Sequence, residues 1–298
     1  LWLWLKLGFM SISEANSLSN SQWSRSSIWF QRAIYRLRPA VLSAFLKKLL
    51  GFKRGWVTVQ GLKFYVDPVS HFGQEVMRTG IYEPVFCQTI LGLLKPRDRF
   101  LDIGANEGFF SLVAAQKVGS QGRVIAVEPQ PDLANFIGLN VKANSFSNVQ
   151  VFPLAFSEEK GEVELALSYS VNSGASSLFK DKVSGLNRIK VRSERFEDWW
   201  YSQGSPQFDL VKIDCEGAEI FIFRTAKNAL KNHFSKAICL EYHENIIGTE
   251  AVWEIDEQLR LAGYELSELR VGVWVYHLPN FVFPSTVQVS RKIPKLHL

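Results

Sequence analysis

A chain of 298 residues that is 47% apolar and 21% charged can bury a sizeable core and is not a disordered polymer. Its three cysteines, Cys87, Cys215 and Cys239, lie far apart, so they offer neither a disulfide framework nor a CxxC or Cys/His zinc site, and free thiols in a reducing compartment are expected. The nine basic residues between Ala15 and Val66, with no acid among them, exceed the net charge of +5; a basic front end thus precedes a slightly acidic body, and no nucleic-acid binding by that body is expected.

The opening LWLWLKLGFM is an apolar run of 10 residues. That is too short for a bilayer span, which needs about 20 residues. No basic residue precedes it, so a signal peptide is not expected either, and Met10 offers an alternative start. Residues 11–27 are rich in Ser and Asn and read as irregular. Residues 28–50 predict one or two amphipathic helices, interrupted near Pro39, with Ile28, Ala33, Ile34 and Leu37 and then Val41, Leu42, Phe45, Leu46 and Leu49 at helical spacing. Their charges are all positive. A helix covering the edge of the domain with a solvated basic face is expected; a weak peripheral contact with the inner face of the membrane is the alternative. Cytoplasmic residence follows from either reading.

Residues 56–59 and 63–66 alternate around Gly61 and predict a β-hairpin. Residues 71–94 read mainly as helix, broken between Gly80 and Pro84, and this lead-in is expected over the mouth of the sheet that follows. Strands then alternate with helices. Strands are predicted at 100–103, 124–127, 149–152, 208–213 and 237–240, helices at 109–116, 132–144, 217–230 and 249–261, and a closing hairpin at 264–277. Strands at 162–167 and 189–195 stand outside this repeat. Such alternation argues for a mostly parallel sheet with helices on both faces. The expected division is an N-terminal extension at 1–69, a main domain at 70–285 and a tail at 286–298.

The chemistry should gather where parallel strands end. Residues 99–116, RFLDIGANEGFFSLVAAQ, read as a buried strand, a glycine turn and a helix packing back on the strand. A turn built for a dinucleotide needs G-x-G-x-x-G so that backbone can approach a pyrophosphate. Here Asn106 stands in place of the second glycine, and Glu107 would put a negative charge where that pyrophosphate would sit. Four strands end in or near an acid: Asp102, Glu128, Asp214 and Glu241. Glu128, 26 residues after Asp102, suits a ribose diol, because each carboxylate oxygen can accept one hydroxyl. Carboxylates around the turn attract a sulfonium cation, which points to S-adenosylmethionine as the cofactor.

At these residues the chain resembles the FkbM-type family of S-adenosylmethionine-dependent methyltransferases. The matching stretches are Tyr82-Glu83-Pro84, FLDIGANEGFFSLVAA, GRVIAVEPQP, LNVKAN at 139–144, VKIDCEGAE at 211–219 and LEYH at 240–243, in collinear order. The resemblance implies a Rossmann-like class I methyltransferase sheet, mostly parallel with a terminal antiparallel hairpin, preceded by the helical and hairpin extension. It implies that Asp102, Gly104, Ala105, Asn106 and Gly108 form the methionine end of the cofactor site, that Glu128 holds the ribose beside Pro129 and Gln130, and that Ala155 and Phe156 meet the adenine. Asp214 would face the transferred methyl group, and Asp214, Glu216 or His243 would accept the proton. Ser176 and Ser177, with Asn172, match a serine-bearing loop of the family, and Lys212 and Glu219 are expected as a structural pair. Glu107 departs from the family pattern, which more often has a small or apolar residue there. No metal is expected. The implied reaction is methylation of a hydroxyl on a small molecule, sugar, glycolipid or secondary metabolite, with N-methylation as the alternative. A nucleotide-linked oxidoreductase is opposed by the missing glycine pattern, and a non-catalytic cofactor-binding or membrane-associated scaffold is the remaining alternative.

Overall fold

The computed structural model describes residues 31, 33–36, 40–168, 176–179, 187–270 and 273–284. The readings of residues 1–27, of Asn172 and of the tail at 286–298 lie outside these. Helix α1 (Ala40–Leu49) follows Pro39, and residues 33–35 are also helical. Strands β1 (Gly55–Val59) and β2 (Leu62–Val66) form the expected hairpin. Helices α2 (His71–Thr79) and α3 (Pro84–Leu93) carry the lead-in. Ser70 caps α2 by accepting from the Gly73 N–H, and Gly80 ends it in the left-handed region that a residue without Cβ adopts freely.

The main sheet then builds up through β3 (Arg99–Ile103), α4 (Phe109–Val118), β4 (Arg123–Val127), α5 (Pro131–Ala143) and β5 (Val149–Phe152). After a detour and α6 (Phe196–Ser202) it continues with β9 (Leu210–Ile213) and β10 (Ala237–Leu240), and α9 (Glu244–Ile247) and α10 (Thr249–Leu261) lead to β11 (Glu265–Arg270) and β12 (Val273–His277). The order across the seven strands is β11-β12-β10-β9-β3-β4-β5. The five strands from β10 to β5 are parallel, and β12 inserts antiparallel between β10 and β11. The order reverses between β9 and β3, and at that point the strand ends open a crevice. The detour is a smaller sheet in which β8 (Arg188–Glu194) lies between β6 (Ala155–Phe156) and β7 (Gly161–Ala166).

Alternation along the strands divides the core in two. Phe100, Val124, Leu210 and Cys239 point to one face, where they meet α2, α3, α4 and the hairpin residues Val57, Phe64 and Val66. Leu101, Ile103, Ile125, Val211 and Ile213 point to the other face and meet Phe196, Trp199, Ile222 and Ile255. The hairpin therefore shares a core with the helix after the glycine turn. One expected element differs: the helix predicted at 217–230 is broken into α7 (Glu219–Arg224) and α8 (Lys227–Lys231). The Thr225 hydroxyl donates to the Phe221 carbonyl at 2.8 Å, and the Glu197 carboxylate caps the new helix start by accepting from the Asn228 and Ala229 N–H groups. Among the described residues no helix is long and apolar enough to cross a membrane.

Candidate functional site

Strand β3 delivers the chain into the turn at 104–108. Gly104 has φ +76, and a Cβ there would lie 1.7 Å from the Asp214 carbonyl oxygen, so the two strand ends approach as closely as backbones can. The Gly104 and Ala105 N–H groups donate to the Val127 carbonyl at 3.0 and 3.1 Å, which ties the turn to the end of β4. Asn106 takes φ +51, a left-handed conformation that asparagine tolerates better than most residues. Its N–H donates to Glu128 Oε2 at 2.8 Å, and the Gln130 N–H donates to Glu128 Oε1 at 2.9 Å. Each carboxylate oxygen keeps a lone pair for a ligand hydroxyl. Burial pushes the Glu128 carboxyl up to about 7, against the pull of those two N–H groups.

These groups line one side of a cleft, with Gly104, Asn106, Glu128, Pro129 and Gln130 followed by Leu154, Ala155 and Phe156. The opposite side is made by Tyr82 and Glu83 from the link between α2 and α3, by Asp214, Cys215 and Glu216 after β9, and by Glu241 and His243 after β10. Ser176 and Leu178 close it from the loop after β7. Ser177 turns away and donates its hydroxyl to the Glu216 carbonyl at 2.5 Å.

The second side is strongly acidic. Glu83, Asp214 and Glu241 each bring a carboxylate oxygen within 4.8 Å of the others. Burial, and then Asp214, push the Glu83 carboxyl up to about 7; burial likewise raises Glu241. Two cations answer these charges. Lys212, fully buried in β9, stands 3.3 Å from both Asp214 Oδ2 and Asp102 Oδ1 and donates to the Gly104 carbonyl at 2.9 Å. His243 donates from Nδ1 to Glu219 Oε1 at 2.7 Å, and its Nε2 lies 3.5 Å from Glu216 and 3.8 Å from Asp214. Burial would lower the His243 pKa, but Glu219, Glu216 and Asp214 outweigh it and hold the imidazolium to about 9. Burial pushes Glu216 up to about 7 against the attraction of His243. The Cys215 thiol, raised by burial and by Glu219, stays protonated.

Several sequence expectations change on this geometry. Asp102, Ala105 and Gly108 do not line the cleft. Asp102 pairs in register with Lys212, so its side chain lies on the inner face of the sheet, where it also accepts from the Ser111 hydroxyl at 2.6 Å. Ala105 lines only a small recess behind the turn, and Gly108 is pressed against Ile137. Lys212 pairs with Asp102 and Asp214 instead of Glu219, whose partner is His243. A charged His243 is a poor proton acceptor at neutral pH. Glu107 directs its carboxylate to Arg54, away from the cleft. Gly104, Asn106, Glu128, Pro129, Ala155, Phe156, Asp214, Glu216 and His243 do meet around one space. Glu83 enters the sequence reading only as part of the Tyr82-Glu83-Pro84 match, with no role at the site. The signal was an acid directly before Pro84: Glu83 is held at φ +42, an unfavourable state for a residue that precedes proline.

The residues fit a nucleoside with a cationic sulfur. The Gly104 position admits no side chain, acids surround the space, and the buried Oδ1 of Asn106 has no hydrogen-bond partner among the described residues. Residues 102–266 match the family model described as Methyltransferase FkbM domain. Residues 47–154 also match one described as Protein-L-isoaspartate(D-aspartate) O-methyltransferase. Methyltransferase sdnD of Sordaria araneosa is 28% identical over 193 residues, which cover 53% of this chain and 73% of that protein. Protein-L-isoaspartate O-methyltransferase 1 of Arabidopsis thaliana is 30% identical over 102 residues, covering 34% of this chain and 44% of that protein, so the match spans less than half of that relative. Among solved structures, a SAM dependent methyltransferase from Aquifex aeolicus aligns over 66% of this chain and 88% of its own, at 16% identity and a TM-score of 0.37.

Proposed function

The chain belongs to the FkbM methyltransferase family, and on that premise we propose that this S-adenosylmethionine-dependent methyltransferase methylates a hydroxyl of a sugar, glycolipid or secondary metabolite. The observation that carries the reading is one cleft lined both by the glycine turn, Glu128, Leu154, Ala155 and Phe156 and by the acids Glu83, Asp214, Glu216 and Glu241. In this reading the turn at 104–106 and the Asn106 amide oxygen take the methionine end, Glu128 takes the ribose, and Leu154, Ala155 and Phe156 take the adenine. When bound, the cofactor supplies a methyl group on a positively charged sulfur. Holding the acceptor hydroxyl in line with that methyl is the larger task, worth on the order of 7–11 kcal/mol.

Accepting the hydroxyl proton adds roughly 10²–10⁴ in rate. Glu216 suits that role: its pKa of about 7 leaves it partly ionised near neutrality, and it is exposed to the cleft. Glu83, also near 7, is the alternative acceptor. Asp214 and His243 would then hold the charge balance around the acceptor.

A carboxylate acceptor is the second reading, favoured by the match to the isoaspartate methyltransferase model. That match ends at residue 154, so of the acidic side it covers Tyr82 and Glu83 but not Asp214, Glu216, Glu241 or His243. Glu83, Asp214, Glu216 and Glu241 would repel an anionic acceptor. Protonated amines would be attracted but lack the lone pair that attacks. The test is incubation with S-adenosylmethionine and panels of hydroxyl, amine and carboxyl acceptors, read by product mass. A gain of one methyl on a hydroxyl is expected; a gain confined to carboxyl or amine acceptors overturns the reading.

The exposed Phe45 and Leu49 beside Lys48 on α1 support a weak peripheral contact with an anionic membrane. The apolar residues of the β1–β2 hairpin share the main core, which supports a folding unit that includes the hairpin.

A further inference from the structure

The glycine turn is gripped from outside the cleft by groups that the reaction does not use. Arg54, immediately before β1, makes a forked contact with Glu107: Nη1 donates to Oε2 at 2.6 Å and Nη2 to Oε1 at 3.1 Å. The same guanidinium lies 4.0 Å from the Phe136 ring centroid and donates through Nη1 to the Tyr65 carbonyl at 3.0 Å. The Glu107 side chain is 1% exposed, so its charge depends on this partner.

A second strut reaches the same residue. The Tyr65 N–H donates to Asn140 Oδ1 at 2.7 Å, and Asn140 Nδ2 donates to the Glu107 carbonyl at 3.2 Å. One helical turn on, Asn144 accepts from the Lys63 N–H and donates to the Lys63 carbonyl, both at 2.8 Å. The two asparagines of the LNVKAN stretch thus dock β2 along α5. Glu107 is held by both its carboxylate and its carbonyl, and the residue before it is Asn106, whose N–H orients Glu128 at 2.8 Å.

We propose that Arg54 is a positioning residue for the cofactor: its fork on Glu107 fixes the turn at 104–108 and, through Asn106, the orientation of Glu128. The inference rests on the reading that the turn and Glu128 hold the cofactor, and it gives the departure at Glu107 a function. A lysine would keep the charge but not the planar fork.

The test is calorimetric binding of S-adenosylhomocysteine to the full chain, with KM for S-adenosylmethionine, kcat and melting temperature measured alongside. Arg54→Ala is expected to raise Kd at least about tenfold, because it strands a buried carboxylate next to the turn. Arg54→Lys is expected to raise it about threefold or more, since a single ammonium cannot span both oxygens. Glu107→Gln, which still accepts one N–H, falls between wild type and Arg54→Ala. KM should rise more than kcat falls. Variants that melt lower yet bind with the wild-type Kd make Arg54 a structural brace only and overturn the proposal. If Arg54→Ala does not fold, an unchanged Kd in Arg54→Lys overturns it equally. Failure of the wild-type chain to bind S-adenosylhomocysteine overturns the cofactor reading itself, a result distinct from equal binding by wild type and variants.

Discussion

Glu128 shows how one side chain can be built for a ligand and left costly without one. It is 4% exposed, and both of its oxygens accept from backbone N–H groups. Yet burial raises its pKa to about 7, so near neutrality the carboxyl is divided between its two forms. A ribose diol donates two hydroxyls and therefore prefers the carboxylate. A carboxyl whose pKa is raised takes up its proton as pH falls through about 7, and the binding that needs the ionised form is complete above that point and lost below it. The affinity of the wild type for S-adenosylhomocysteine should therefore weaken as pH is lowered from 8 to 6, by at most about tenfold per pH unit. Glu128→Gln should bind about tenfold more weakly at pH 8 and show a flatter profile, since an amide has one accepting oxygen and no proton to gain. Glu83 and Glu216 titrate in the same range, so the comparison of wild type with Glu128→Gln isolates the ribose acid. An equal slope in both proteins would assign the titration elsewhere.

At the scale of elements, helix α1 is half anchored and half open. Leu46 packs with Phe52, Ile34 and Val69, and Lys47 pairs with Asp67. On its other side Phe45 is 61% and Leu49 is 67% exposed, with Leu42 and Lys48 beside them. Positions 42, 45 and 49 fall on one helical stripe. A stripe of apolar side chains flanked by cations binds a surface that is apolar below and anionic above. Co-sedimentation with vesicles containing phosphatidylglycerol is expected for the full chain, and less with pure phosphatidylcholine. Phe45→Asp/Leu49→Asp should reduce it several-fold while leaving Kd for S-adenosylhomocysteine unchanged. Equal sedimentation of variant and wild type would remove the helix from any membrane contact. Elements of this kind were legible in the sequence because periodicity reports burial. Helix α10 and the closing β11–β12 hairpin fall where the pattern put them. The break between α7 and α8 was not legible: it depends on a cap supplied by Glu197, which is remote in sequence.

For the whole molecule, the same distinction separates what could be read from what could not. Strand ends and their acids follow from local pattern, and Glu128, Asp214 and Glu216 all line the cleft. Which face each side chain takes depends on register with a neighbouring strand. Asp102 could be placed only once β3 lay beside β9, opposite Lys212. The hairpin is the largest case. Its sequence announces two strands but not their destination, and a boundary at residue 70 cuts it from the domain whose core it enters. Val57, Val59, Leu62, Phe64 and Val66 are all buried in one cluster with Phe72, Phe109 and Phe110. Burying each such side chain is worth about 1.5–3 kcal/mol, so the five together are worth on the order of 10 kcal/mol. A domain has a net stability of about 5–15 kcal/mol, so losing the hairpin removes most or all of it. A chain shortened to begin at Asp67 should therefore fail to give a cooperative thermal transition, and its loss should not be rescued by S-adenosylhomocysteine. A chain shortened to begin at Ala40 keeps α1, Arg54 and the hairpin, and should melt within a few degrees of the full chain. A cooperative transition in the shorter chain would return the hairpin to the status of an appendage, and with it the grip of Arg54 on the glycine turn.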